Sequence, residues 1–147
     1  IYDLHPYIYT EENGSILYTH DGFTFAITES GAKLIDYIGD KEYVIIPETI
    51  TINNQKITVN DCGQYVFYMV NTLVGYVLPN TITHVDGSLT YNCQKFQYFF
   101  FHGTDEEFLA IKNFFGSFPS NRYIYSEEEP TQSGSYWHYV DGVPTVW

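Results

Sequence analysis

Two stretches decide the fold: Val59–Pro79, VNDCGQYVFYMVNTLVGYVLP, and Ile82–His102, ITHVDGSLTYNCQKFQYFFFH. They align without a gap at a spacing of 23 residues. Val59 falls on Ile82, Cys62 on Val85, Val66 on Leu89, Tyr68 on Tyr91, Val70 on Cys93, Leu73 on Phe96, Tyr76 on Phe99 and Leu78 on Phe101. Each of these eight pairs joins two apolar or aromatic residues. A unit of this length cannot bury its apolar face alone, so a chain that repeats it stacks turn on turn around one continuous core.

Working outward, the strand positions read Leu73-x-x-Tyr76-x-Leu78 and then Phe96-x-x-Phe99-x-Phe101. That spacing, on a period between about 20 and 29 residues, is what a leucine-rich solenoid shows. The motif VIIPETIT at Val44–Thr51 returns as YVLPNTIT at Tyr76–Thr83, 32 residues on and so nine more than one turn. TITINNQKITV accounts for the surplus, because alternating runs on both sides of Asn53, Asn54 and Gln55 predict a hairpin inserted into one turn. The proline ends each strand, since it donates no N–H to a ladder and fixes the exit of the chain.

Upstream, SILYTHDGFTFAI places Asp21-Gly22 between alternating runs, a type I′ hairpin signal, followed by AKLIDYIG and the strand EYVIIP. Downstream, Thr104-Asp-Glu-Glu107 is a capping box predicting a helix with Phe108, Ile111 and Phe115 on one face. A polar linker, SEEEPTQSGS, leads to a second hairpin at Asp141-Gly142 within YWHYVDGVPTVW. Hairpins at both ends suit caps, which close the apolar edge of a terminal repeat.

These residues resemble the BspA-like leucine-rich repeats of bacterial surface proteins. The likeness rests on Ile82-Thr-x-Val85, Asn92-Cys93, Phe96-x-x-Phe99-x-Phe101, the entry Ile38–Pro47, the insert Asn54-Gln-Lys56, the exit His102–Ile111 and the ending Tyr125–Trp147, and spans roughly residues 15–147. Phe101-His102 stands where that family has a strand-ending proline, Phe108 where its exit has Trp, and Val66-Phe67 and Leu89-Thr90 where it has Ala-Phe. The resemblance implies an α/β leucine-rich-repeat solenoid, rich in strands with short helices and flanked by hairpin caps. It implies one domain over 1–147: an amino-terminal β cap at 1–42, repeats at 43–102 with a hairpin insert at 50–59, and a helix plus hairpin cap at 103–147. It further implies a secreted bacterial cell-surface protein that binds other proteins or matrix.

Composition narrows the classes of work. Eighteen acidic residues against six Lys and Arg give a formal charge of −12, which repels phosphate backbones and anionic headgroups, so no nucleic-acid partner is expected. No run approaches the roughly 18 apolar residues of a membrane span, and the start at Ile1 suggests a processed chain or a fragment. Cys62 and Cys93, 31 apart, form neither a zinc framework nor a disulfide scaffold. Both fill columns of the repeat that carry Val in the neighbouring turn, which predicts buried, unpaired and inert thiols.

Catalytic and cofactor signals are weak by the same standard. Histidines 5, 20, 84, 102 and 138 are scattered with no ligand spacing, so no metal is expected. The carboxylates of Glu11-Glu12, Asp105–Glu107 and Glu127–Glu129 read as a helix start and solvated surface. Asp86-Gly87-Ser88 and His138 could be drawn into a triad, but nothing in their spacing requires it, and no phosphate-binding or nucleophile-elbow motif is present. Asn13-Gly-Ser is a glycosylation sequon in form. The expectation is a chain without cofactor or enzymatic activity.

The face of the repeat strands remains. Alternate side chains of a strand point away from the core, which sends Tyr43, Ile45, Val77, Tyr98 and Phe100 outward together with Gly75. That face is more aromatic than solvent demands and is the predicted binding surface. Two roles compete: recognition or adhesion through this face, and a structural carboxy-terminal cap of a longer surface protein, with an enzyme a distant third. A competing arrangement has the amino-terminal hairpin or the Trp137–Trp147 tail folding over the patch.

Overall fold

In the computed structural model, which describes residues 5–7, 17–114 and 122–147, the chain returns on itself every 23 residues. Strand β9 (Gly75–Pro79) lies parallel to β12 (Tyr98–His102) with Tyr76 opposite Phe99 and Leu78 opposite Phe101. Strand β7 (Gln55–Cys62) pairs parallel with β10 (His84–Gly87), Cys62 opposite Val85, and β8 (Phe67–Tyr68) with β11 (Thr90–Tyr91), Tyr68 opposite Tyr91. Each of these pairs joins residues that the repeat alignment placed in one column.

Two larger sheets result. The first runs β1 (His5–Tyr7), β2 (Leu17–His20), β3 (Phe23–Ile27), β4 (Ala32–Tyr37), β7, β10 and β13 (Lys112–Phe114), with β6 (Thr49–Ile52) added to β7. The second runs β16 (Val143–Val146), β15 (Tyr136–Val140), β14 (Arg122–Tyr125), β12, β9 and β5 (Tyr43–Ile45). The core fills the space between them: Phe25, Leu34, Val59, Cys62 and Val85 from one side meet Val44, Tyr76, Leu78, Phe99 and Phe101 from the other, with Leu73 and Leu89 from the connections. Phe96, which the repeat assigns to the same interior column, packs against this cluster while staying partly exposed. Its ring stacks on Tyr76 at 5.3 Å, and Tyr76 in turn meets Phe99 at 5.4 Å.

The three expected hairpins are built as turn chemistry requires. Asp21-Gly22, Asn53-Asn54 and Asp141-Gly142 all hold positive φ, 52° and 85°, 50° and 63°, 51° and 78°, which matches a two-residue turn to the right-handed twist of its strands. The inserted hairpin, β6 on β7, explains why β5 pairs with β9 at the longer offset, Tyr43 opposite Gly75 and Ile45 opposite Val77.

Helix is scarcer than expected. Among the described residues one helix forms, α1 (Asp105–Leu109). Inside the turns, the connections are too tight for more: single bonds such as Leu73 N–H to Val70 O and Phe96 N–H to Cys93 O close them, and Met69 and Asn92, one repeat apart, take φ of 55° and 52°. The helix face expected from Phe108, Ile111 and Phe115 is likewise cut short. Ile111 lies past the helix end and leads into β13, though it and Phe108 both pack on the core, and Phe115 falls outside the described residues. Strand β14 extends the second sheet by a further 23-residue step, Phe99 opposite Arg122 and Phe100 opposite Tyr123, within the segment expected to be only helix and hairpin cap.

Thr104 caps α1 as the sequence predicts: its hydroxyl accepts from the Glu107 N–H at 3.1 Å, and the Glu107 carboxylate accepts from the Thr104 N–H at 2.9 Å. The Thr104 N–H, then the Asn80 amide, hold the Glu107 carboxyl below its ordinary value. A carboxyl depressed in the folded state stabilises above its unfolded pKa and loses that contribution as pH falls through the folded value. The melting temperature of the protein should therefore exceed that of Glu107→Gln at neutral pH, with the gap closing as pH falls from about 5 to about 3. A gap that stays constant over that range would show that the carboxylate charge does not support the cap.

Candidate functional site

Along the second sheet the outward side chains fall in columns. Ile45, Val77, Phe100 and Tyr123 share one row across β5, β9, β12 and β14, and Tyr43, Gly75 and Tyr98 share the next. Gly75 leaves a notch that its neighbours fill, because a Cβ there would stand 3.0 Å from the Phe100 ring and 3.1 Å from Tyr98. Tyr98 and Phe100 stack at 5.6 Å and 14°, and Tyr123 meets both at 5.8 Å.

Trp137 turns these columns into a second apolar cluster outside the main core. It reaches from β15 across the sheet, its ring 5.3 Å from Phe100 and its Nε1–H donating to the Phe101 carbonyl at 2.8 Å. That bond satisfies the indole donor in a fully buried position. Val77, Phe100 and Trp137 are buried together, with Tyr43, Tyr98, Tyr123, Tyr125 and Tyr139 packed around them and partly open. His102 sits among Tyr125, Trp137 and Tyr139 at 4.4, 5.5 and 5.9 Å.

The five predicted positions thus divide. Ile45 is 44% exposed, Tyr43 and Tyr98 are half-buried, and Val77 and Phe100 are about 1% exposed, buried in one cluster with Trp137. Burial, reinforced by Tyr98 and Glu42, raises the Tyr43 hydroxyl pKa, and burial with Tyr125 and Glu48 raises that of Tyr139. Both stay neutral hydrogen-bonding groups at neutral pH. Sequence reasoning missed Tyr123, Tyr125 and Tyr139; Trp137 it named only as the start of a tail that folds over the patch, and Trp137 does pack on Phe100. The alternation Tyr123-Ile124-Tyr125 carried a signal for the first two, but the linker and the tail hairpin drew the segment into a cap.

The other candidates separate. Ser88 donates to the Thr90 carbonyl at 3.0 Å on the first sheet's side, whereas His138 in β15 stacks on Trp147 at 3.6 Å, so Asp86, Ser88 and His138 form no triad. Asp86 instead pairs with Lys33 at 2.6 Å, and His84 Nδ1 meets Asp61 at 2.7 Å. Asp61 and His84 are one repeat apart, which is why a search by local spacing does not find the pair. Among the described residues, no group of three or more His, Cys, Asp or Glu is placed to hold a metal ion, and no helix is long and apolar enough to cross a membrane.

Both cysteines are free; Cys62 is buried, and burial drives its thiol pKa far up, while Cys93 is half-buried and donates to the Phe67 carbonyl at 3.2 Å. Glu11, Glu12 and Asn13-Gly-Ser fall outside the described residues.

With the geometry in place, comparison shows a shared fold. A leucine-rich cell-surface protein from Faecalibacterium prausnitzii superimposes with a TM-score of 0.55 at 20% identity, over 80% of this chain and 34% of that one. A leucine-rich-repeat protein from Bacteroides capillosus gives 0.47 at 18% identity, over 74% of this chain and 70% of that one, and one from T. pallidum gives 0.43 at 17%, over 72% and 52%. The first likeness shows that this strand-rich fold is that of a leucine-rich-repeat protein, and the chain spans about a third of that protein's length. No family model matches the chain, and no curated protein sequence does.

The layered face makes a split prediction. Phe100→Ala opens a cavity beneath Trp137 and should cost about 3–5 kcal/mol in urea unfolding. Tyr98→Ser, at the half-open rim, should cost clearly less. Equal losses at the two positions would contradict the layering.

Proposed function

We propose that this chain is a non-catalytic recognition module of a bacterial cell-surface protein, a BspA-like leucine-rich-repeat solenoid that meets a protein or matrix partner with the outward face of its second sheet. The observation that carries this reading is the continuous aromatic surface across β5, β9, β12, β14 and β15. A sheet needs apolar residues on the side facing the core; a second apolar layer on the opposite side has no such origin. Tyr43, Ile45 and Tyr98 make the contact, joined by Tyr123, Tyr125 and Tyr139, while Val77 and Phe100 hold the rings rigid from below. Aromatic side chains already fixed by packing lose little entropy on contact, which is why such residues dominate binding surfaces. The fold shared with a leucine-rich cell-surface protein supports an extracellular location and a binding rather than catalytic role.

The second reading, a carboxy-terminal cap, is favoured by β16, which closes the second sheet with an antiparallel hairpin carrying Pro144 on its last strand. The two readings part on one experiment. Coated surfaces of matrix proteins and cell monolayers should retain the purified chain, and a Tyr43→Ser/Tyr98→Ser variant with an unchanged circular dichroism spectrum should lose at least 10-fold in retention, about 1.4 kcal/mol. If the wild-type chain is not retained, or the variant is retained equally, the cap reading stands and the face is structural.

A further inference from the structure

A separate cleft lies at the carboxy-terminal end of the second sheet. Its volume is about 540 Å³, and Tyr123, Glu129, Gln132, Ser135, Tyr136 and Trp147 are among the residues that line it. One wall comes from SEEEPTQSGS, the stretch that reads in sequence as a linker. In the structure that segment is tied down: the Ser126 N–H donates to the Trp137 carbonyl at 2.9 Å, the Ser126 hydroxyl to the Glu128 carbonyl at 2.7 Å, and the Ile124 N–H to the Ser135 carbonyl at 3.0 Å. Gly134, at φ 147°, lets the loop close over Tyr136, since a Cβ there would stand 2.9 Å from the Tyr136 ring.

The indole of Trp147 is fixed as firmly as the loop. Its Nε1–H donates to the Ser126 carbonyl at 2.7 Å, its backbone N–H donates to the Tyr136 carbonyl at 3.1 Å, and one ring face is covered by His138 at 3.6 Å and 11°. Even so, the residue is 41% exposed and lines the cleft. A rigid, half-open indole beside two tyrosine rings is a preorganised apolar surface, the exposed side chains of Glu129 and Gln132 add polar groups at its edge, and the cleft lies in the size range of small-molecule sites.

From this lining we infer that the cleft binds a neutral saccharide, one or two sugar rings of a glycan. The electron-rich faces of the rings attract the C–H bonds on the flat side of a pyranose, and its hydroxyls exchange hydrogen bonds with Glu129, Gln132 and Ser135. Other ligand classes fit less well. A purely apolar ligand would bury those polar groups without partners. An anion would meet the Glu129 carboxylate on a chain of net charge −12. A quaternary ammonium would suit the rings and the carboxylate but give the Gln132 and Ser135 donors nothing to bond. The site shares Tyr123 with the strand face but does not depend on that face binding a partner.

The two tryptophans make the test direct, because Trp137 is buried under the strand face and Trp147 stands in the cleft. Emission of the protein is followed while glucose, galactose, mannose, N-acetylglucosamine and their β1,4-linked dimers are added in turn, with choline chloride as the cation probe. At least one saccharide should give a saturable change in the exposed, red-side component that is absent in Trp147→Phe. Its affinity, measured by calorimetry, should fall at least 10-fold in Gln132→Ala and in Glu129→Ala, loop variants expected to keep the wild-type melting temperature. A response to choline and to none of the sugars would overturn the proposal in favour of a cation site. So would the absence of any response, or a saccharide affinity equal in wild type and both loop variants.

Discussion

Everything in this structure hangs on the parallel register that sets Tyr76 beside Phe99. The two rings meet at 5.4 Å inside the core, and Gly75, Val77 and Pro79 are thereby fixed opposite Tyr98, Phe100 and His102. Side chains alternate along a strand, so a slip of one residue would send Tyr76 and Leu78 outward and Val77 inward. The same offset governs β7 with β10 and β8 with β11, so each turn of chain repeats the registry at three places and the core between the sheets fills as one stack.

The register also determines what lies outside the core. Once Val77 and Phe100 face away from it, they need cover, and Trp137 supplies it to Phe100 from β15, two places along the sheet from β12, within the cluster that also holds Val77. The result is a face with two levels: a dry base of Val77, Phe100 and Trp137, and a rim of tyrosines whose edges reach solvent. A layered surface of this kind is stiffer than a row of free rings. The acidic character of the chain extends to its margin, where Glu42 and Glu48 act on Tyr43 and Tyr139.

How much of this was legible in the amino-acid order follows from the range of the interactions involved. The period, the inserted hairpin, the two Asp-Gly turns and the cap at Thr104 are all local or strictly repeated, and they stand in the structure where the sequence put them, save that Gln55, expected in the inserted turn, already opens β7. The outward direction of Tyr98 and Phe100 followed from alternation alone. Their burial did not, because whether Phe100 is open or covered is decided by Trp137, 37 residues on and in a strand whose offset to β14 is 12 rather than 23. Further short helices, which the resemblance implies, are absent among the described residues for a related reason: Met69 and Asn92 take left-handed backbone conformations that end any helix, and only the second is a residue that advertises it. The pairing of Asp61 with His84 shows the converse, since the repeat itself predicts that contact once side chains one turn apart are treated as neighbours.

The most direct test of the account is the set of interstrand nuclear Overhauser contacts of Phe99 in the isotope-labelled protein. The 23-residue register predicts backbone contacts from Phe99 to Tyr76 on one side and to Arg122 on the other, with ring contacts to Tyr76 but none to Val77. Backbone contacts from Phe99 to Gly75 or Val77 as its direct partner, or ring contacts from Trp137 to Phe99 in place of Phe100, would mean that the strands pair in another register and that the two-level face does not exist.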